Sequence, residues 1–140
     1  MSQNAVKVFV YGTLKPGECN YTRYCEGHVL DSFEAIAYGT LFDLPMGYPA
    51  MTDGDSPIKG IVLCLANASH LTVLDELEDY DPRRSPCENE YNRQAIEVFS
   101  PSGMSYGQVW TYVMDVEKTR SFRGKILPDG IWTGIHRNAS

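Results

Sequence analysis

The chain has 140 residues, 43% of them hydrophobic and 21% charged, and carries a net charge of −6 at neutral pH. A chain of this length buries about two-thirds of its unfolded surface in one core, so residues 1–140 read as a single domain. The acidic balance and the lack of a basic stripe argue against a nucleic-acid partner, and no window approaches the ~20 apolar residues of a membrane-spanning helix.

In chain order, Met1-Ser2-Gln3-Asn4-Ala5 lacks the charged-then-apolar layout of a signal peptide and runs directly into a strand, so a cytoplasmic protein is expected. Val6, Val8 and Val10 alternate with Lys7, Phe9 and Tyr11, the period of a β-strand. That strand stops in Tyr11-Gly12-Thr13-Leu14, a small-residue turn whose backbone N–H groups can cradle an anion or polarised group. A short helix fits within 18–30. A second strand covers 35–42, with a bulge or bend at Gly39. Gly60-Ile61-Val62-Leu63-Cys64-Leu65 is apolar on both faces, as in a central strand. Two more strands cover 91–99 and 106–114, and a short turn fits 116–123. The stretches 43–59, 80–90 and 100–105, rich in Gly, Pro and Asp, read as loops. Tyr-Gly-Thr-Leu recurs at 38–41, but its flanks differ and it lies within a strand, so it reads as structural.

The strongest helical pattern runs over 69–79. Asn67 or Ser69 supplies an N-cap, and Leu71, Leu74 and Leu77 form an apolar stripe. Glu78 lies seven residues after Leu71 and four after Leu74, which places a carboxylate on or beside that stripe. Asp75, Glu76 and Asp79 can turn to water. Burial, the helix C-terminus and neighbouring acids would each raise the Glu78 pKa, the tuning suited to a general acid or base. Periodicity alone also allows a surface glutamate on a frayed helix end.

Other chemistries find little support. Cys19, Cys25, Cys64 and Cys87 form no C-x-x-C pair, and His28, His70 and His136 show no ligand spacing, so no metal site is expected. The thiols read as reduced, with Cys64 in the core. Gly12, Thr13, Lys15 and Gly17 do not make a phosphate-binding loop, since G-x-x-x-x-G-K-[ST] is absent. No G-x-S-x-G elbow occurs, and Cys87 sits among Glu88 and Glu90, acids that would raise a thiol pKa.

Several segments form an ordered set. These are Val8-Phe9-Val10-Tyr11-Gly12-Thr13-Leu14, then Ala37-Tyr38-Gly39-Thr40-Leu41-Phe42-Asp43 with Gly47-Tyr48-Pro49-Ala50. Leu74-Asp75-Glu76-Leu77-Glu78-Asp79-Tyr80, Tyr91-Asn92-Arg93, the strand from Gly107 to Val113 and Gly130-Ile131-Trp132 follow. In that order they resemble the gamma-glutamylcyclotransferase-like superfamily, in the small single-domain branch that includes the gamma-glutamylamine cyclotransferases. Two departures stand out: Asp79 where the family usually has Gly, and an insert from Asp81 to Glu90.

The resemblance implies an α+β fold, a mixed β-barrel-like sheet with short helices packed around it. It implies an enzyme that releases 5-oxoproline from a gamma-glutamyl amine or peptide by attack of the substrate's own α-amine on its side-chain carbonyl. No cofactor or metal is needed, the partner is a small molecule, and a monomer is favoured. Glu78 matches the motif's final glutamate, the proton carrier, and Tyr11, Gly12, Thr13 and Leu14 match the substrate-binding loop. Tyr112 is a further candidate for the pocket wall, with core aromatic as its alternative. Arg83 and Arg84 read as a solvated pair or as guards of a pocket. The competing function is a non-catalytic metabolite-binding or interaction module that uses the 11–14 loop as an anion cradle.

Overall fold

The structure, a computed structural model, describes residues 6–134; the stretch 1–5 and His136 lie outside them. Ten short elements follow one another. They are β1 (Val6–Val10), α1 (Tyr21–Tyr24), β2 (Val29–Asp43), β3 (Pro49–Leu65), α2 (His70–Leu77), a 3-10 turn (Pro86–Glu88), β4 (Asn92–Phe99), β5 (Ser105–Val113), α3 (Val116–Ser121) and β6 (Lys125–Ile126).

The strands form one six-stranded mixed sheet in the order β3-β1-β5-β4-β2-β6, with β2 also paired to β3. Its α+β class and short flanking helices are as expected. The closure falls short of a barrel. At the return seam β2 meets β4 through one registered pair, Ile36 opposite Phe99, next to the register shift at Val98/Phe99 where β4 leaves β5.

β1 sits between β3, antiparallel, and β5, parallel. A central strand buries both faces, and the two-residue alternation of a strand splits its side chains between two cores. Val8 and Val10 join Leu63, Leu65, Leu71, Leu74 and Tyr112 on one side. Phe9 and Tyr11 join Ala35, Ala37, Ile58, Val62 and Val109 on the other.

The segment 49–59 is strand rather than loop. β2 and β3 pair along their length until Gly39, which faces Ser56; the next residue, Thr40, faces Thr52. Residues 53–55 are the excess between those pairs, so the polar run Asp53-Gly54-Asp55 is a bulge inside a strand. A Cβ on Gly39 would lie 2.5 Å from the Thr52 carbonyl oxygen, which is why glycine stands at this bend. The second Tyr-Gly-Thr-Leu copy therefore lies in β2, with Tyr38 exposed. Cys64 is only partly buried; Cys25 is the enclosed thiol, and burial pushes its pKa up to about 11.

Candidate active site

β1 ends at Val10, paired beside Ile61 of β3, and the turn that follows passes close to Pro49 at the start of β3. A Cβ on Gly12 would lie 2.5 Å from Pro49 Cγ, so only glycine lets the turn pass. The turn is tied from behind: Lys15 N–H donates to the Gly12 carbonyl at 3.0 Å, and Asn20 Nδ2 donates to Thr13 Oγ1 at 3.0 Å. The Leu14 side chain is buried in the core beside α2. The amides of Gly12, Thr13 and Leu14 donate to no acceptor among the described residues. Three successive free N–H groups at a strand end are an anion-binding feature.

Leu71 and Leu74 bury the inner face of α2 and Leu77 is half-buried, together holding the helix against β1 and β5. Each enclosed leucine contributes about 1.5–3 kcal/mol through apolar burial. The helix is shorter than its sequence pattern. It stops at Leu77, with Glu78 as its C-cap and Asp79 in the left-handed region at φ 57°. Tyr80 N–H donates to the Asp75 carbonyl at 2.8 Å and Asp79 N–H to that of Glu76 at 3.2 Å. This pair of bonds is the Schellman arrangement, whose left-handed residue is usually Gly. At its N-terminus Ser69 makes no side-chain cap, while Asn67 Oδ1 accepts from the Ser69 amide at 3.0 Å.

The insert closes on itself and then returns to this helix end. Buried Asn89 accepts from the Asp81 amide at 3.1 Å and donates to the Asp81 carbonyl at 3.2 Å and to Asn92 Oδ1 at 2.9 Å. Glu90 N–H then donates to the Asp79 carbonyl and Tyr91 N–H to the Glu78 carbonyl, each at 3.3 Å. Backbone thereby fixes Glu90 beside Glu78.

A cavity of about 230 Å³ lies where these pieces meet, lined among others by Gly12, Thr13, Asn20, Tyr48, Glu78 and Glu90. The expected proton carrier, substrate loop and wall tyrosine all border it: Tyr11, Gly12, Thr13, Leu14, Glu78 and Tyr112. Glu78 retains part of its surface because it faces this opening. Burial, and second the charge of Glu90, push its pKa from an ordinary 4.5 up to about 8. The like charge that matters comes from the insert, not from the acids beside it on α2.

Four tyrosines complete the wall. The Tyr48 hydroxyl donates to Glu90 Oε2. Tyr91 donates to the Pro49 carbonyl and Tyr11 to the Tyr112 carbonyl, each at 2.5 Å. Burial raises the pKa of all four phenols, with the negative charge of Glu78 adding to the effect. They are neutral donors at physiological pH. Tyr112 is both wall and core: its ring is buried, and its hydroxyl donates to Asp75 Oδ1 at 2.6 Å.

Asp75 corrects the expectation that it turns to water. It points inward, 2.9 Å from Arg93 Nε, with both side chains mostly shielded. The Arg93 guanidinium stacks 4.6 Å from the Trp110 ring centre. Arg83 and Arg84 border no part of the cavity; they pair with Asp81 and Asp79. Glu90, Tyr48, Pro49, Asn20 and Tyr91 carry no sequence-based assignment. The Gly47-Tyr48-Pro49-Ala50 and Tyr91-Asn92-Arg93 segments are the available signals for three of them.

Comparison with known proteins decides the lineage. The family model for "Gamma-glutamyl cyclotransferase, AIG2-like" matches residues 8–134. The chain belongs to this family. It is 35% identical over 106 residues to a provisionally named gamma-glutamylcyclotransferase of Vibrio cholerae, covering 76% of this chain and 79% of that one. It is 34% identical over 110 residues to the gamma-L-glutamyl-butirosin B gamma-glutamyl cyclotransferase of Niallia circulans, covering 76% of this chain and 65% of that one. The fold matches the crystal structure of a mouse AIG2-like protein with a TM-score of 0.68 at 19% identity, over 94% of this chain and 90% of the other. Glu78 and the 11–14 turn lie inside the matched region of this gamma-glutamylcyclotransferase-like enzyme. Among the described residues, no helix is long and apolar enough to cross a membrane.

Proposed function

We propose that the chain releases 5-oxoproline from a small gamma-glutamyl amide, with Glu78 carrying the proton. The observation that supports this most is the placement of a carboxyl group with its pKa raised to about 8 in one cavity with three unspent backbone amides. In this reading the amides of Gly12, Thr13 and Leu14 hold the substrate's carboxylate or the oxyanion that develops on its side-chain carbonyl. The α-amine of the substrate attacks that carbonyl carbon and a C–N bond closes the five-membered ring. Glu78 takes the proton from the attacking nitrogen and delivers it to the departing nitrogen as the amide C–N bond breaks. Nucleophile and electrophile belong to one molecule, so holding the folded conformer contributes several kcal/mol of the rate enhancement. The neutral phenols of Tyr11, Tyr91 and Tyr112 wall the site and limit water.

A binding module that only cradles an anion gains nothing from a carboxyl group kept at a raised pKa beside the cradle. Such a group costs stability whenever it ionises. The experiment is to incubate pure protein with a panel of gamma-glutamyl amines and dipeptides and assay 5-oxoproline. Turnover by the parent and loss of at least ~100-fold in Glu78→Gln is the expected result for a general acid–base residue. Silence across the panel, or full activity in Glu78→Gln, overturns the reading.

A further inference from the structure

The cavity has a second carboxylate that the proton transfer leaves unused. Glu90 comes from the insert, and its Oε2 accepts from Tyr48, while its Oε1 accepts no hydrogen bond from the described residues. Among the described residues, no lysine, arginine or histidine borders the cavity. The cations nearby are committed elsewhere. Lys15 Nζ donates to the Trp132 carbonyl at 2.6 Å, Arg84 to the Asp79 carbonyl at 2.8 Å, and Arg93 is held by Asp75. Lys118 donates to the carbonyls of Cys87 and Asn89.

The site is therefore polarised. Its lining offers free N–H groups to an anion and also presents Glu78 and Glu90, with no neutralising cation bordering it among the described residues. The leaving nitrogen must reach Glu78 to receive its proton, so whatever is attached to it passes Glu90, whose charge is felt at Glu78. We propose that Glu90 selects gamma-glutamyl amides whose leaving amine bears a second, cationic nitrogen, such as diamines, polyamines and amino sugars, and rejects those whose leaving group carries a carboxylate. This rests on the proposed cyclotransferase reading. The chain's net charge of −6 acts in the same direction by drawing cationic substrates to the surface.

Three amides of one shape form the test: gamma-glutamyl-1,4-diaminobutane (cationic tail), gamma-glutamyl-pentylamine (neutral) and gamma-glutamyl-4-aminobutyrate (anionic). Release of 5-oxoproline and calorimetric binding are both measured, at low and high salt, for the parent and Glu90→Gln. A glutamine at 90 keeps an acceptor for Tyr48, so the insert retains its fold. The expected kcat/KM for the cationic amide exceeds that for the neutral one by at least ~10-fold at low salt, shrinks with added salt, and falls towards parity in Glu90→Gln. An anionic amide handled as well as the cationic one overturns the proposal. So does a cationic-to-neutral ratio unchanged by Glu90→Gln, which would assign Glu90 to the shared glutamyl end. Release without charge ranking sinks this proposal and keeps the cyclotransferase reading. Charge-ranked binding without release does the reverse, and neither ranking nor release sinks both.

Discussion

Replacing Glu78 by glutamine should stabilise the protein while abolishing its chemistry, and the gain should depend on pH. The Glu78 carboxyl rises from an ordinary 4.5 in the unfolded chain to about 8 in the folded one. Between those values the folded state holds a proton that the unfolded state has released, so stability falls as pH rises through the interval. Below the lower value both states are protonated and there is no penalty. Above the upper value both are ionised and the penalty is complete. A tenfold difference in acidity between the two states is worth about 1.4 kcal/mol. The penalty is then about 1 kcal/mol at pH 5 and about 4 kcal/mol at pH 8. Glutamine does not titrate, and its pH-independent packing cost cancels when two pH values are compared. The advantage of Glu78→Gln over the parent should therefore grow by about 3 kcal/mol between pH 5 and pH 8. Urea unfolding of both proteins at the two pH values, extrapolated linearly to water, measures it. Equal pH dependence in parent and variant would show that Glu78 titrates as a surface glutamate, and the acid–base role would lose its physical basis.

Glu90→Gln removes a like charge from beside Glu78, so the rising limb of the kcat/KM profile against pH should move to lower pH than in the parent; a limb that stays or rises contradicts the charge coupling. Gly12→Ala places a Cβ 2.5 Å from Pro49 Cγ and should cost about 1–3 kcal/mol in thermal or urea unfolding, with a larger proportional loss of turnover as the free amides shift. Asp79→Gly relieves a left-handed aspartate at φ 57° while keeping the bond from Arg84 to the main-chain carbonyl. It should leave stability unchanged or raise it by up to ~1 kcal/mol, and a clear loss would mean the exposed side-chain pair with Arg84 matters more than the backbone. Arg93→Ala strands the shielded Asp75 carboxylate and should cost about 3 kcal/mol, whereas Arg93→Ala with Asp75→Asn should recover part of that in a double-mutant cycle.

What the sequence reveals of the site depends on local geometry. Glu78 is visible because four residues separate it from Leu74, and helical spacing carries across that distance whether or not the helix runs on to Asp79. The 11–14 turn is visible because a β-strand pattern ends there. Glu90 is hidden. Its position depends on hydrogen bonds from residues 90 and 91 to the carbonyls of 79 and 78, and on the Asn89 side chain closing the insert. None of these leaves a periodic trace. Asp75 misleads for a related reason: on an isolated helix it sits beside the apolar stripe, but Arg93 of β4 and Tyr112 of β5 reach it from another layer. The strand over 49–59 reads as loop because three bulged residues, 53–55, place Asp and Gly where strand alternation belongs.

The helix stop explains how a short and marginal helix can carry a demanding carboxyl group. Within α2, Glu78 would follow every fluctuation of an eight-residue segment. At the C-cap it is instead held from both sides: its amide donates to the Leu74 carbonyl at 3.0 Å, and its own carbonyl accepts from the Tyr91 amide. Asp79 then turns the chain back so that the next carbonyl accepts from Glu90. Main-chain bonds, not rotamer choice, thus bring the two acids to one cavity, and the burial of Leu71 and Leu74 offsets the cost of keeping them there. A glycine at 79 would serve the same turn, since the left-handed conformation at φ 57° requires no side chain. The proposed determinant of specificity lies further on, in the insert that ends at Glu90.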